Sequence, residues 1–471
     1  MKDETAEKLS KQTNPIIVLL GILALAALLT YVVDSGSYQR DGRLVVPDSY
    51  SVIEKDRSVT NLFELHTGPV EPAADGSLTA RPVSIVGTLT AIPTGLERMS
   101  GLIFMVLLIG GMFGIMTRSG AIDAGLERLL GSVRGNVYIL VPSLMMVFAA
   151  GSTFLGLASE YLLIIPLMVA MANRLGMSNL MGLAIVTIPV KAGYLSSVTN
   201  PLPLTIAQPL VGVQIFSGAG LRFVFFLIFT LVGIAFMLYM IRRSSFDPTV
   251  KINFASDRLS QRHTSMLLVL LAGIAGIVYF SNAHGWGHTQ LSAFYIGLSI
   301  ILAGLSGLGA SGAADAFVGG MKKILMASML IGVASAVAVT LENGQVLDSV
   351  VHGLTSVIGT DNAYISAAGM FLSQLMLDFL IPSTSGQAAV SMPILGPIGQ
   401  LTGVQPQTTV LAFLFGNGIT NMLTPTSGTL LAYLAAAQVG WTQWAKFIVW
   451  LWAIYIVLAL LMLAYAVAIG F

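Results

Sequence analysis

Hydrophobic positions in this chain gather into membrane-length runs separated by polar segments. The runs cover Pro15 to Val33, Gly101 to Met116, Leu180 to Val198, Leu221 to Ile241, Thr264 to Phe280, Leu291 to Leu305, Ile324 to Leu341, Gln407 to Leu423 and Phe447 to Phe471. A helix that crosses a bilayer needs roughly 20 apolar residues, so the pattern predicts about nine transmembrane helices. Two further stretches, 135–176 and 362–403, are each long enough for two arms and carry a polar tip halfway along. They read as re-entrant hairpins. The first run, behind Lys2, Lys8 and Lys11, has spanning length and lacks the small-residue ending of a cleaved signal, so it reads as a retained helix.

Sidedness follows from the bias of Lys and Arg toward short cytoplasmic loops. With the N-terminus inside and each hairpin returning to the side it left, Arg118, Arg128, Arg134, Arg174, Arg242, Arg243, Lys251, Arg258, Arg262, Lys322, Lys323 and Lys446 all fall inside. The second hairpin then opens from outside. The chain divides into a cytoplasmic tail (1–14), a first transmembrane helix (15–33), an extracytoplasmic loop (34–97) and a first repeat (98–241, with hairpin 135–176 and broken helix 180–212). A cytoplasmic linker (242–263), scaffold helices (264–320) and a second repeat (321–471, with hairpin 362–403 and broken helix 407–438) complete it, with the C-terminus outside. The expected fold is an all-α integral membrane protein built on inverted repeats.

The polar breaks carry the functional signal. Gly151-Ser-Thr-Phe-Leu-Gly-Leu-Ala-Ser-Glu160 recurs in type as Asp378-Phe-Leu-Ile-Pro-Ser-Thr-Ser-Gly-Gln387, and one offset of 227 pairs Glu160 with Gln387, Pro166 with Pro393, Gly176 with Gly403, Thr199 with Thr426 and Asn200 with Ser427. Helix breakers and hydroxyls inside apolar sequence are costly unless they line a cavity, because lipid cannot satisfy the freed backbone groups. In inverted repeats, substrate and coupling ion bind near the midplane where the copies meet. After each hairpin a helix breaks again, at Ser196-Ser-Val-Thr-Asn-Pro201 and at Thr424-Pro-Thr-Ser-Gly428. Proline frees carbonyls there, beside hydroxyl and amide oxygens that suit a hard cation such as sodium. A kink patched by neighbouring hydroxyls is the plain alternative for either break alone; recurrence in register favours a site.

The candidate substrate-binding residues are therefore Ser152, Thr153, Ser159 and Glu160 at the first tip, Ser383, Thr384, Ser385 and Gln387 at the second, Asn200 and Asn421 at the helix breaks, and the charged Lys191 and Asp378. Thr199, Asn200, Thr424, Thr426 and Ser427 form a candidate sodium set. Charge at membrane depth is expensive unless paired or facing water, which singles out Glu160, Lys191 and Asp378. The two acids could receive a cationic group, a proton or sodium. Lys191 could hold a carboxylate, neutralise Glu160 in a structural ion pair, or take the place of a coupling cation.

Composition narrows the classes. With 55% apolar and 10% charged residues and a mean hydropathy of +0.84, the chain departs from soluble domains, which carry about 25% charge. A net charge of +1 gives no reason to expect nucleic acid, and the absence of cysteine excludes disulfides and thiolate metal sites. His66, His263, His284, His288 and His352 read as solvent-exposed, and no Walker loop or nucleophile triad is present, so neither an enzyme nor a bound cofactor is expected. Gly110-Gly-Met-Phe-Gly114 and Gly304-Leu-Ser-Gly307 read as small-residue patches for close helix packing. A secondary transporter with Na+ or H+ coupling fits best, ahead of a channel or sensor and of an intramembrane enzyme.

Several motifs resemble one family. Gly36-Ser-Tyr-Gln-Arg40 with Gly42-Arg, Ala91-Ile-Pro-Thr-Gly95, Leu108-Ile-Gly-Gly-Met-Phe-Gly114, Gly120-Ala-Ile-Asp123, Ile381-Pro-Ser-Thr-Ser-Gly386 and Gly418-Ile-Thr-Asn-Met-Leu-Thr-Pro-Thr-Ser-Gly428 look like the YfcC family. That family is similar to the anaerobic C4-dicarboxylate carriers and the AbgT-type aminobenzoyl-glutamate transporters of the ion transporter superfamily. The resemblance implies a homodimer in the bacterial inner membrane, an elevator-like movement and exchange of basic amino acids such as arginine for ornithine. Two departures shift the expected solute. Ser159-Glu160 stands where two adjacent acids are usual, and Lys191 where a small residue is usual. The site moves by two charges toward anions, which favours amino-acid-like or carboxylate solutes.

Overall fold

Apolar sequence in lipid can satisfy its backbone only by closing its own hydrogen bonds, and the computed structural model is accordingly helical through nearly all of its membrane-length runs. It describes residues 15–41, 44–46, 48–65, 79–132, 136–244, 260–284, 286–356, 358 and 362–471. The tail 1–14, Gly42, Arg43, His66, Arg134, Gly135, Lys251 and Arg258 lie outside the described residues.

In chain order the helices are α1 (Pro15–Val32), α2 (Ile85–Arg98), α3 (Ser100–Arg118), α4 (Ala121–Ser132), α5 (Val137–Leu155), α6 (Ile165–Arg174), α7 (Asn179–Ser196), α8 (Pro201–Leu210) and α9 (Ala219–Arg243). They continue as α10 (Gln261–His284), α11 (His288–Leu305), α12 (Gly309–Asn343), α13 (Leu347–Ser356), α14 (Ala363–Leu380), α15 (Thr384–Thr402), α16 (Pro406–Thr420), α17 (Gly428–Ala437) and α18 (Trp441–Ala468). Among the described residues eight helical segments are long and apolar enough to cross a membrane, and Leu19–Val32 and Gln261–Ile277 are shorter apolar helices. The chain is a multi-pass membrane protein. The order long helix, short helix, helix, break, helix, broken pair, long helix occurs twice, in α3–α9 and again in α12–α18. α8 starts at Pro201 and α17 at Gly428, which keeps the 227-residue offset of the sequence.

Three elements depart from the sequence reading. Across the end of the expected loop 34–97, residues 85–98 form α2, an amphipathic helix whose Pro93 is tolerated within it. The expected boundary at 320/321 falls inside α12, a single 35-residue helix. Gly320 lies within it where the helix meets α3, and a Cβ there would come within 2.1 Å of the Gly110 carbonyl oxygen. Gly114 approaches the Ala316 carbonyl in the same way, at 2.2 Å for an added Cβ. Small residues thus let two backbones touch. Gly304-Leu-Ser-Gly307 instead runs from the last turn of α11 into the bend before α12, with Gly307 at φ +69° and nothing within 4 Å of a Cβ added at Gly304.

The segment before α2 carries strands. β1 (Ser35–Ser37), β4 (Ser51–Lys55) and β5 (Thr79–Ala80) form one small sheet, and β2 (Arg40–Asp41) pairs with β3 (Leu44–Val45). This layer grips α13: Arg40 bridges Asp348 at 2.6 Å, the Tyr38 amide donates to the other Asp348 oxygen at 3.0 Å, and Tyr50 donates to Ser349 at 2.9 Å. The Tyr50 ring stacks on His352 at 4.0 Å. Tyr38 and Val45 pack with Leu377 of α14 and Val390 of α15, so the Gly36–Arg40 motif ties the outer layer to the second unit.

Candidate functional site

α7 and α16 pack against each other at the centre, and both are buried along nearly their whole length. α7 ends at Ser196, where Ser197 takes the left-handed conformation at φ +39°, and the chain restarts at α8 with Asn200 as its cap. α16 ends at Thr420 and restarts at α17 with Ser427 as its cap. α5 stops at Gly156, φ +72°, and α14 stops before Pro382, after which Ser383 caps α15. These interruptions meet around one cavity of about 630 Å³.

Its polar wall holds Ser152, Lys191, Asn200, Ser383, Thr384, Ser385, Asn421 and Thr426, so expected positions from both units converge. Another wall belongs to α2, α3, α11 and α12 through Leu102, His288, Ile331, Ala334 and Ala338, with Met99 at the joint of α2 and α3 and Arg98 donating twice to Glu342 at 3.1 and 2.9 Å. Gly156 is needed where first tip and first break touch, because a Cβ on it would lie 2.6 Å from Asn200 Oδ1. α8, α15 and α17 all begin at this cavity, so three helix N-termini offer it their partial positive charge.

Behind the second tip lies a closed polar network. Asp378 is fully buried and accepts from Asn417 Nδ2 at 2.6 Å and from Asn421 Nδ2 at 2.8 and 2.9 Å. Asn417 also donates to Gln387 Oε1 at 2.8 Å and accepts from the Tyr194 hydroxyl at 2.5 Å, which bonds Thr384 at 2.8 Å. Gln387 passes on to Gln374 at 3.0 Å. Tyr194 carries the network across from α7 to the second unit.

Lys191 is 8% exposed and lines the cavity. Among the described residues no hydrogen bond or ion pair reaches its ammonium, and it shares the cavity with Asn417 and Asn421, the amides that hold Asp378, while Glu160 lines a different recess. Glu160 is not drawn into the cavity. Its carboxylate accepts the Ala158 amide at 2.9 Å within its own turn, and it lines a separate apolar recess with Phe148, Phe154 and Tyr161. Ser159 lies in the same short turn, 159–163, away from the cavity wall. Thr153 serves structure, its hydroxyl oxygen taking the Val198 amide at 3.0 Å.

The sodium set divides between two places. Thr199 donates to the Phe154 carbonyl at 3.0 Å and Asn200 caps the Leu202 amide at 3.0 Å, both against the first tip. Thr424 and Thr426 bond to each other at 2.7 Å, Thr426 also donates to the Phe379 carbonyl at 2.9 Å, and Ser427 donates to Asn421 at 2.7 Å, all against the second.

Residues 13–468 match the DcuC family, described as C4-dicarboxylate anaerobic carrier. The chain belongs to that family. It is 30% identical to the Escherichia coli (strain K12) protein YfcC, provisionally named a basic amino acid antiporter, over 92% of each chain. It is 24% identical, over 92% of each chain, to an uncharacterised protein of Haemophilus influenzae (strain ATCC 51907 / DSM 11121 / KW20 / Rd). Among solved structures, the Alcanivorax borkumensis YdaH transporter aligns at TM-score 0.41 with 14% identity over 98% of this chain and 99% of that one. Neisseria gonorrhoeae MtrF, titled an antimetabolite efflux pump, aligns at TM-score 0.42 with 17% identity over 96% and 95%. The named relatives of this DcuC-family member are transporters or carriers, and the chain is a membrane transporter and not an enzyme.

Sequence reasoning missed Tyr194, Asn417, Arg98, Glu342 and His288. Asn417 had a signal, since it lies one helical turn before Asn421 on a helix already suspected. Arg98 and Glu342 had none, because each stands at the end of its own helix and only the packing of α2 on α12 brings them together.

Proposed function

We propose that this DcuC-family member is a secondary active transporter, antiporter or ion-coupled symporter, of an amino-acid-like or carboxylate solute across the bacterial inner membrane. The observation that carries the reading is Lys191, a buried ammonium facing a cavity onto which three helix N-termini open. A solute carboxylate supplies the missing acceptor, and helix N-termini bind anions for the same electrostatic reason. Arg98 and Glu342 cancel each other on the α2–α12 wall and suit a solute that carries both signs of charge. The C4-dicarboxylate description of the family supports carboxylates. The name of the E. coli relative supports a second reading, exchange of basic amino acids, for which Asp378 and Glu342 would be the attractive groups.

In this reading the helix–break–helix stretches at 135–176 and 362–403 are re-entrant hairpins, the two units are inverted, the N-terminus is cytoplasmic and the C-terminus extracytoplasmic. The hairpin-bearing body slides past α2, α3 and α12 as an elevator, and the protein works as a homodimer. The cavity between those two groups of helices supports the sliding boundary. Counterflow in proteoliposomes tests it, with labelled arginine, ornithine, alanine, aspartate and succinate in turn. A carrier transiently concentrates label against preloaded unlabelled solute. Passive equilibration of label without overshoot would mean a channel and defeat the proposal.

A further inference from the structure

An alkali cation coordinates oxygen lone pairs, so the residues around the buried carboxylate can be tested for fit. Every neighbour hydrogen-bonded to Asp378 turns an N–H toward it: Asn417 at 2.6 Å and Asn421 at 2.8 and 2.9 Å. Both amides are held in that orientation from behind, since Tyr194 donates to Asn417 Oδ1 at 2.5 Å and Ser427 donates to Asn421 Oδ1 at 2.7 Å. Presenting their oxygens to a cation would break both of those bonds. The hydroxyls of Thr199, Thr426 and Ser427 donate to the Phe154 carbonyl, the Phe379 carbonyl and Asn421 Oδ1, and they lie at two separate breaks instead of around Asp378. The hydrogen-bonded shell of Asp378 presents N–H groups and no oxygen, which does not fit sodium.

A carboxylate with no exposed surface nevertheless needs positive charge within reach, because uncompensated burial costs several kcal/mol. Lys191 is placed to give it: it is buried on the other unit without a hydrogen bond among the described residues, and it lines the same cavity as Asn417 and Asn421, the two amides that hold Asp378. We propose that Lys191 is a tethered stand-in for the coupling alkali cation, so that this carrier works without sodium, its ammonium shared between Asp378 and the carboxylate of the incoming solute. The inference rests on the transport reading of the cavity.

The purified full-length protein is exposed to sodium chloride, potassium chloride and choline chloride at constant ionic strength, and its thermal midpoint and labelled-solute exchange are followed. The midpoints are expected to agree within about 1 °C and the exchange rates within about twofold, since a ligand bound only by the native state must raise stability. A saturable sodium-specific rise in midpoint, or roughly tenfold stimulation of exchange by sodium alone, would overturn the proposal. A charge cycle tests the pairing separately. K191Q and D378N each lower the midpoint by stranding a charge, and the double variant is expected to be more stable than the worse single. Additive losses would refute the pairing. If the native protein exchanges none of the solutes, the transport reading fails, while the midpoint and cycle still decide on Lys191.

Discussion

Asn417→Leu is the sharpest perturbation of the polar network, because leucine keeps asparagine's branched shape and heavy-atom count but offers neither donor nor acceptor. Asn417 has no exposed surface, so water cannot replace what is lost. The change removes one N–H from the Asp378 carboxylate, strands Gln387 Oε1 and leaves the Tyr194 hydroxyl with Thr384 alone. A hydrogen bond to a charged group contributes about 1.5–3 kcal/mol and a stranded buried group costs about 1–3 kcal/mol. Membrane interiors give smaller values, near 0.6 kcal/mol per bond, because the unfolded helices also find partners. Weighing both, we expect a loss of about 2–5 kcal/mol. The assay is unfolding in detergent alongside solute exchange in proteoliposomes. Exchange should fall as well, because the second tip that lines the cavity loses the anchor Asn417 gives it through Tyr194 and Gln387. Retention of both stability and exchange within about twofold would show that the network neither holds the second tip nor shapes the cavity.

Other perturbations have equally definite signs. Gly156→Ala places a Cβ 2.6 Å from Asn200 Oδ1 at a left-handed position, so stability should drop by roughly 1–3 kcal/mol by chemical denaturation. Glu342→Gln leaves Arg98 unanswered on the cavity wall while costing little stability, because half-exposed pairs contribute about 0–1 kcal/mol. Competition assays should show relative preference moving toward anionic solutes. In the outer layer, burial holds the Lys55 ammonium down to about 8 as it donates to the Val33 carbonyl at 2.6 Å. Its folded value lies below the unfolded one, so the folded state binds fewer protons between the two, and resistance of this layer to proteolysis should rise from pH 8 toward 10.5. Lys55→Met should flatten that dependence.

Much of the helical architecture is visible in the residues themselves, for a physical reason. Breakers such as Pro201, Pro382 and Pro425 stand out against apolar sequence, because each costs a hydrogen bond that lipid cannot return. α2 was hidden by its amphipathic composition and by Pro93, both of which resemble loop sequence. The unbroken α12 was hidden by glycines whose purpose is contact with α3, a property of the pair and not of either helix. The site was partly legible: Lys191, Asn200, Ser383 and Asn421 could be singled out, whereas Glu160 was claimed by its own turn. Tyr194 and Asn417 matter through the close approach of α7 and α16, where an added Cβ on Gly418 would come within 2.8 Å of the Tyr194 ring.

The native chain has no cysteine, so a single Ser385→Cys gives one unambiguous probe in the cavity. Its labelling by a membrane-impermeant maleimide, applied from each side of oriented vesicles with and without transported solute, tests most directly whether the chamber is carried between the two faces. The account predicts labelling from both sides, with solute slowing each. Labelling from one side only, unaffected by any solute, would contradict it.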